Sequence, residues 1–181
     1  MSIQETQRWG SVIRLCHWLT LILVVAAWWI MEIRHDFPKG SDERNLWMMW
    51  HMTAGLSIWF LTIFRLGWRA FQPVPHVEMP VWQRWAARIV QALLYIVLLA
   101  MPIFGIAARQ FAERSVSYAG VIDMPQLMQK NADLAEWFAD MHEDVLWPAL
   151  LVLVGVHAAA ALWHQFAMRD NLIGRMFWSK R

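Results

Sequence analysis

A chain of 181 residues in which 59% are hydrophobic and 14 are tryptophan, with a mean hydropathy of +0.33, is too apolar for a soluble globule of this size and reads as one membrane domain over residues 1–181. The single cysteine, Cys16, excludes an internal disulfide, a cysteine-rich iron–sulfur centre and the C-x-x-C-H attachment of a covalent cofactor. A formal net charge of +2 gives no reason to expect a nucleic-acid partner.

Residues 15–31 run for 17 positions without a charge. The run is long for a signal peptide, has no clear small-x-small cleavage site and carries His17, so an uncleaved first transmembrane helix is expected over 12–33. Pro38 and Gly40 then break the chain. Residues 46–64 are uncharged, hold His51 near their start and end at Arg65 and Arg69, which predicts a second helix over 46–69. Three prolines lie within 71–80, and the uncharged run 89–108 predicts a third helix over 84–108. That helix carries no histidine, so its expected role is packing. Residues 109–141 are mostly polar, and the amphipathic pattern of 132–141 is expected to lie along the membrane surface. The fourth helix is expected over 143–168: from 145 to 168 there are 24 positions without Asp, Glu, Lys or Arg. A basic tail, 169–181, follows.

Four helices place both termini on one side. The first residues, the second connection and the tail carry 10 of the 16 Lys and Arg, so both termini are expected in the cytoplasm. His17 then lies near the cytoplasmic start of the first helix and His51 near the outer start of the second. His142 falls at the outer end of the fourth helix, and His157 further toward the cytoplasm. The pairs His51 with His142 and His17 with His157 thus meet at two depths. Intramembrane histidines are candidates for function, and neutral imidazole on both sides of a haem iron suits a centre that passes electrons and leaves no open coordination position. The expected fold is all-α, a membrane-embedded four-helix transmembrane bundle binding two b-type haems noncovalently. His164 competes with His157, but the rise between them is only about 10.5 Å, too little for two upright macrocycles on one helix, so one of the two needs another role. His35 and His76 fall in connections and are expected at the solvated surface.

Particular motifs carry a resemblance: His17-Trp18, the M-E-x-R run Met31 to Arg34, His51, R-L-x-x-R from Arg65 to Arg69, W-x-x-x-x-H-E ending at His142 and Glu143, and V-H-A-A-A-A-L-W-H from Val156 to His164. Over nearly its whole length the chain resembles the bacterial cytochrome b561 family, most of all its superoxide oxidase branch. The resemblance implies two b haems on His17, His51, His142 and His157, oxidation of periplasmic superoxide, and ubiquinone as acceptor with His164 beside it. One departure is visible. The gap from His142 to His157 is 15 residues where the resembled pattern has 14, and Pro148 lies within it, where a bulge or kink could take up the difference.

Haem propionates need cations or donors at the membrane edges, for which Arg14 and Arg65 at the cytoplasmic side and Arg34 and Arg109 at the outer side are candidates; interfacial snorkelling explains them equally. Trp9, Trp47, Trp50, Trp82, Trp137 and Trp178 read as interfacial anchors, Cys16 as a small packing residue, and Ser11 and Asp170 lie at the level of His164, where they could supply a proton. The expected function is electron transfer at the bacterial inner membrane from a periplasmic one-electron donor, superoxide first, to ubiquinone. A haem-bearing anchor subunit relaying electrons for a periplasmic dehydrogenase or hydrogenase is the alternative, and a haem-free scaffold the third. Arg34 and Arg109 are expected near the outer haem edge, with most outer acids further along the connections.

Overall fold

The structure is a computed structural model that describes residues 9–72 and 79–177; His76 and Trp178 lie outside them. Four helices among the described residues are long and apolar enough to cross a membrane. The first three are α1 (Ser11–His35), α2 (Asp42–Ala70) and α3 (Val81–Phe111), each slightly longer than the apolar run that predicted it. The start of α2 shows why. Ser41 accepts a hydrogen bond from the Arg44 backbone N–H at 3.2 Å, and Asp42 and Glu43 sit in the first turn, so capping and the helix dipole begin the helix before its apolar stretch. The same Arg44 donates to the carbonyls of Arg34 and Phe37, tying the start of α2 to the end of α1 and the turn after it.

The seam between α1 and α2 is built from small and β-branched residues. Cys16, Thr20 and Ala27 on one side and Ala54, Ile58 and Thr62 on the other are buried, which lets the two backbones approach closely. Thr20 and Thr62 donate to the carbonyls of Cys16 and Ile58 in their own helices, so neither hydroxyl is left unpaired in the apolar seam. Trp29, Phe60, Ile96 and Trp163 point outward and are more than half exposed, as lipid-facing residues are. Cys16 packs in the seam, as expected of it.

The fourth helix begins earlier than expected. It runs from Ala132 to Met168 as α4 (Ala132–Asp140), a π turn (Met141–Leu146), α5 (Trp147–Trp163) and a second π turn (His164–Met168). The amphipathic stretch placed on the membrane surface is therefore the opening of this helix, packed on α3. Aromatic pairing explains the difference: Phe138 stacks on Phe111 at 5.6 Å and meets Phe104 edge-on at 5.3 Å, with Trp137 at 5.8 Å from Phe104.

The connection before it holds a hairpin that no alternation in the sequence announced. Strands β1 (Val116–Tyr118) and β2 (Ile122–Met124) pair antiparallel, Val116 opposite Met124. The reversal at Ala119 and Gly120 has φ of 54° and 69°, the left-handed pair a type I′ turn requires. The hairpin lies on α2, where the Ala119 N–H donates to Thr53 Oγ1 at 2.9 Å and the Tyr118 hydroxyl is 3.2 Å from Ser57 Oγ. Gln110, only 2% exposed, anchors the segment that follows by donating to Pro125 O and accepting from the Leu127 N–H. Gln110→Ala is expected to strand both partners and lower stability by about 2–4 kcal/mol, read as a lower thermal midpoint of the detergent-solubilised protein.

Candidate functional site

At the hairpin end of the bundle, His51 of α2 faces His142 with ring centroids 6.1 Å apart and planes at 81°. Each ring is fixed from behind. His51 Nδ1 lies 3.0 Å from the Ala27 carbonyl and His142 Nδ1 2.8 Å from the Met101 carbonyl. A carbonyl only accepts, so both Nδ1 atoms carry the proton and both Nε2 atoms keep a free lone pair. His142 stands in the first π turn, just before Pro148, which has no N–H to give the Asp144 carbonyl and crowds it. One extra residue in an unbroken α-helix would rotate His142 by about 100°. The π turn takes up the residue instead, and with it the 15-residue spacing.

The third helix does more than pack. Besides the Met101 carbonyl it offers Gly105, where an added Cβ would lie 3.2 Å from His142 Cε1 and press on the ring. A cavity of about 520 Å³ opens around His51 and His142, in the range of sites for cofactor-sized ligands. Arg109 and Arg114 line it together with Glu32 and Glu143. Two of the outer acids thus share the cavity with the arginines. Arg34 is acted on electrostatically by Arg44, Arg114 and Glu143, and Arg109 by Arg114 and Arg34. Arg109 donates from Nε and Nη2 to the Ser115 carbonyl, tying the cavity to the hairpin.

At the other end, His17 of α1 faces His157 of α5 at 6.2 Å with planes at 64°. Arg65 acts on both rings and places its guanidinium 5.7 Å from the Tyr95 ring centre. Arg14 donates to Phe177 O and the Trp18 indole to Met176 O, so the described end of the tail folds back over α1 beside His17. His164 is buried in the second π turn and, among the described residues, does not face another histidine; its Nδ1 bonds Asp170 Oδ2. Ser11 is exposed at the start of α1, and no hydrogen bond joins it to that pair. His35 is exposed, as expected.

Both pairs fit a metal held between two imidazoles. A metal–nitrogen bond of about 2 Å on each side, added to the half-width of each ring, spans just such a separation. Among the described residues no three His, Cys, Asp or Glu side chains gather as a metal site, so a metal on two imidazoles must bring its remaining ligands with it, as a porphyrin does. One arginine at each end, Arg34 and Arg65, buries Nε without a hydrogen-bond partner among the described residues, a donor suited to a propionate carboxylate. Sequence reasoning missed Ala27 and Met101, whose backbone does the work. It also passed over Gly105, for which a glycine inside an apolar helix was the available signal.

The model of a family described as prokaryotic cytochrome b561 matches residues 8–179. The chain is 33% identical over 163 residues to cytochrome b561 homolog 1 of Escherichia coli, covering 88% of this chain and 91% of that one. It is 33% identical over 172 residues to the probable superoxide oxidase CybB of Yersinia pestis, covering 91% and 93%. With cytochrome b562 of Cereibacter sphaeroides the identity is 29%, over 81% of this chain and 78% of the relative.

Proposed function

Since the chain belongs to the prokaryotic cytochrome b561 family of haem-binding membrane electron-transfer proteins, we propose that it holds two b-type haems, one on His51 and His142 and one on His17 and His157, and carries electrons from periplasmic superoxide to ubiquinone at the cytoplasmic side of the inner membrane. The observation that carries this is the pair of facing imidazole couples, alike in separation and set at opposite ends of one bundle. Both termini are then cytoplasmic. Haem supplies the one-electron chemistry. Each superoxide gives up one electron and leaves as dioxygen; two electrons and two protons turn ubiquinone into ubiquinol.

This chain's own residues bind, orient and supply. Ala27 and Met101 hold the His51 and His142 rings, and Arg34 and Arg65 offer a cation to a propionate at either end. His164, oriented by Asp170, stands where the acceptor takes up its protons. The name of the Yersinia relative supports superoxide as donor. Anaerobic stopped-flow mixing with superoxide and a short-chain ubiquinone tests the reading: superoxide must reduce the haem bands and quinone must reoxidise them.

Donor access follows from charge. A small anion is drawn by Arg34, Arg44, Arg109 and Arg114 against the opposing Glu32 and Glu143. Charges beyond about 8–10 Å are screened at physiological salt, so this local cluster counts for more than the acidic sum of the outer connections. Changing Arg34 and Arg109 together to Gln is expected to slow reduction by superoxide about threefold or more at low salt, and reduction by a neutral donor hardly at all. Equal slowing with both donors would point to the haem site itself.

One observation favours the alternative of a periplasmic partner protein. Val121, Ile122 and Leu127 at the hairpin are 82%, 65% and 70% exposed, an apolar surface beside the donor end. Copurification of a redox protein that reduces the haems faster than superoxide would move the assignment to an anchor subunit.

A further inference from the structure

The end of the bundle away from the hairpin carries a second, smaller cavity, of about 180 Å³, between α2 and α3. Its walls follow from helical spacing. Leu66 and Arg69 come from adjacent turns of α2, while Arg88, Gln91, Ala92 and Tyr95, at i, i+3, i+4 and i+7, form one face of α3. Among the described residues no Asp or Glu lines this cavity, and neither Arg69 nor Arg88 is in an ion pair. Each guanidinium lies over an indole instead, Arg69 5.6 Å from the Trp9 ring centre and Arg88 5.5 Å from that of Trp85. A ring face steadies a cation without taking up the N–H donors in the guanidinium plane. Tyr95 adds a hydroxyl that is buried and has no hydrogen-bond partner among the described residues.

Depth restricts what can fill such a site. The uncharged run of α2 ends at residue 64 and that of α3 starts at residue 89, so Arg69 and Arg88 stand where hydrocarbon gives way to headgroups. Trp82 and Trp85, 69% and 58% exposed, mark the same level, at which indoles gather. Leu66 and Ala92 are exposed as well and give the cavity an apolar side toward the bilayer. Its volume falls below the roughly 300–1,000 Å³ of sites that enclose a whole cofactor. Two arginines from different helices, each with a planar set of donors, match the oxygens of a phosphodiester. We infer that the cavity between α2 and α3 seats the phosphate of an anionic membrane phospholipid, held by Arg69 and Arg88 from either wall, with its acyl chains running past Leu66 and Ala92. A headgroup that also carries an ammonium brings a cation toward the two arginines and is disfavoured by their repulsion.

Native mass spectrometry of the purified holoprotein tests this with three additions: phosphatidylglycerol, phosphatidylcholine of the same acyl chains, and inorganic phosphate. One phosphatidylglycerol per chain is expected to stay bound under conditions that strip phosphatidylcholine. Changing Arg69 and Arg88 together to Gln is expected to weaken that binding about 30-fold, the effect of two basic residues at a membrane surface, and to leave the haem content unchanged. Arg84→Gln is the control. This arginine is exposed on the first turns of α3, donates to the Met79 carbonyl and does not line the cavity, so its loss is expected to change little. Equal binding of the two lipids, undiminished binding by the double variant, or equal weakening by Arg84→Gln would overturn the site, the last by showing attraction to a generally basic end. Displacement of the lipid by inorganic phosphate at a comparable concentration would overturn the lipid assignment. If the double variant fails to accumulate, Arg88→Gln alone decides, at an exposed position of α3, with an expected weakening of about fivefold.

Discussion

Replacing His157 with alanine is expected to halve the haem content of the purified protein, from two per chain to one, with the His51/His142 site retained. The two sites share no ligand, lie at opposite ends of the bundle and take their histidines from separate turns. His17→Ala is expected to give the same product. His51→Ala and His142→Ala are expected to lose the other haem. A bis-imidazole iron left with one protein ligand loses affinity steeply, because no further cluster of ligating side chains stands by among the described residues to replace it. Haemochromogen per chain measures the outcome. A wild-type value of one, or loss of the same haem from variants of both pairs, would break the pairing by depth. The hydrogen bonds behind His51 and His142 add an expectation of order: those rings are held whether or not iron is present, so the hairpin-end site is expected to reload with added haem more readily.

The second large effect concerns His164. His164→Leu is expected to leave both haem spectra and the two-haem stoichiometry intact while slowing delivery of electrons to ubiquinone by about 100-fold, the range by which a positioned acid or base acts. Three features separate this histidine from His157, its competitor in the sequence. Its ring faces no other imidazole among the described residues, it lies in a π turn rather than in regular α-helix, and its Nδ1 is bonded to Asp170. A carboxylate there holds Nδ1–H and leaves Nε2 with its lone pair. Asp170 is the more exposed of the two side chains and bonds the Leu172 N–H with its other oxygen, so it is both fixed and nearer to water. Asp170→Asn keeps the shape and removes the charge; its expected effect is smaller and of the same kind. Stopped-flow reoxidation of the reduced protein by a ubiquinone analogue measures both variants. Disappearance of a haem band from His164→Leu would mean that the ligand had been assigned to the wrong histidine of the pair.

Much of this was legible before any coordinates, for a physical reason. A membrane-spanning segment must satisfy its backbone within itself and carry an uninterrupted apolar run, so composition alone set four helices and their order, and charge asymmetry suggested their direction. Polar side chains are costly inside such runs, so the histidines stood out and their depth along each helix paired them. Those pairs are the ones whose rings face each other.

Other features depend on rotation and on backbone, and neither is written in the sequence of apolar and polar residues. The 15-residue spacing signalled an irregularity but not its form; the π turn before Pro148, which aims His142, follows from how the helix packs on α3. The surface placement of 132–141 failed because amphipathic pattern does not say what covers the apolar face, and here Phe104 and Phe111 do. Residue type alone determined that this chain spans a membrane four times and carries histidines at two levels. Only the tertiary structure decided which carbonyls hold those rings, that Gly105 makes room for one of them, that Asp170 claims His164, and that acids and arginines share one cavity, because each of these arises from contacts between helices that sequence separation leaves unspecified.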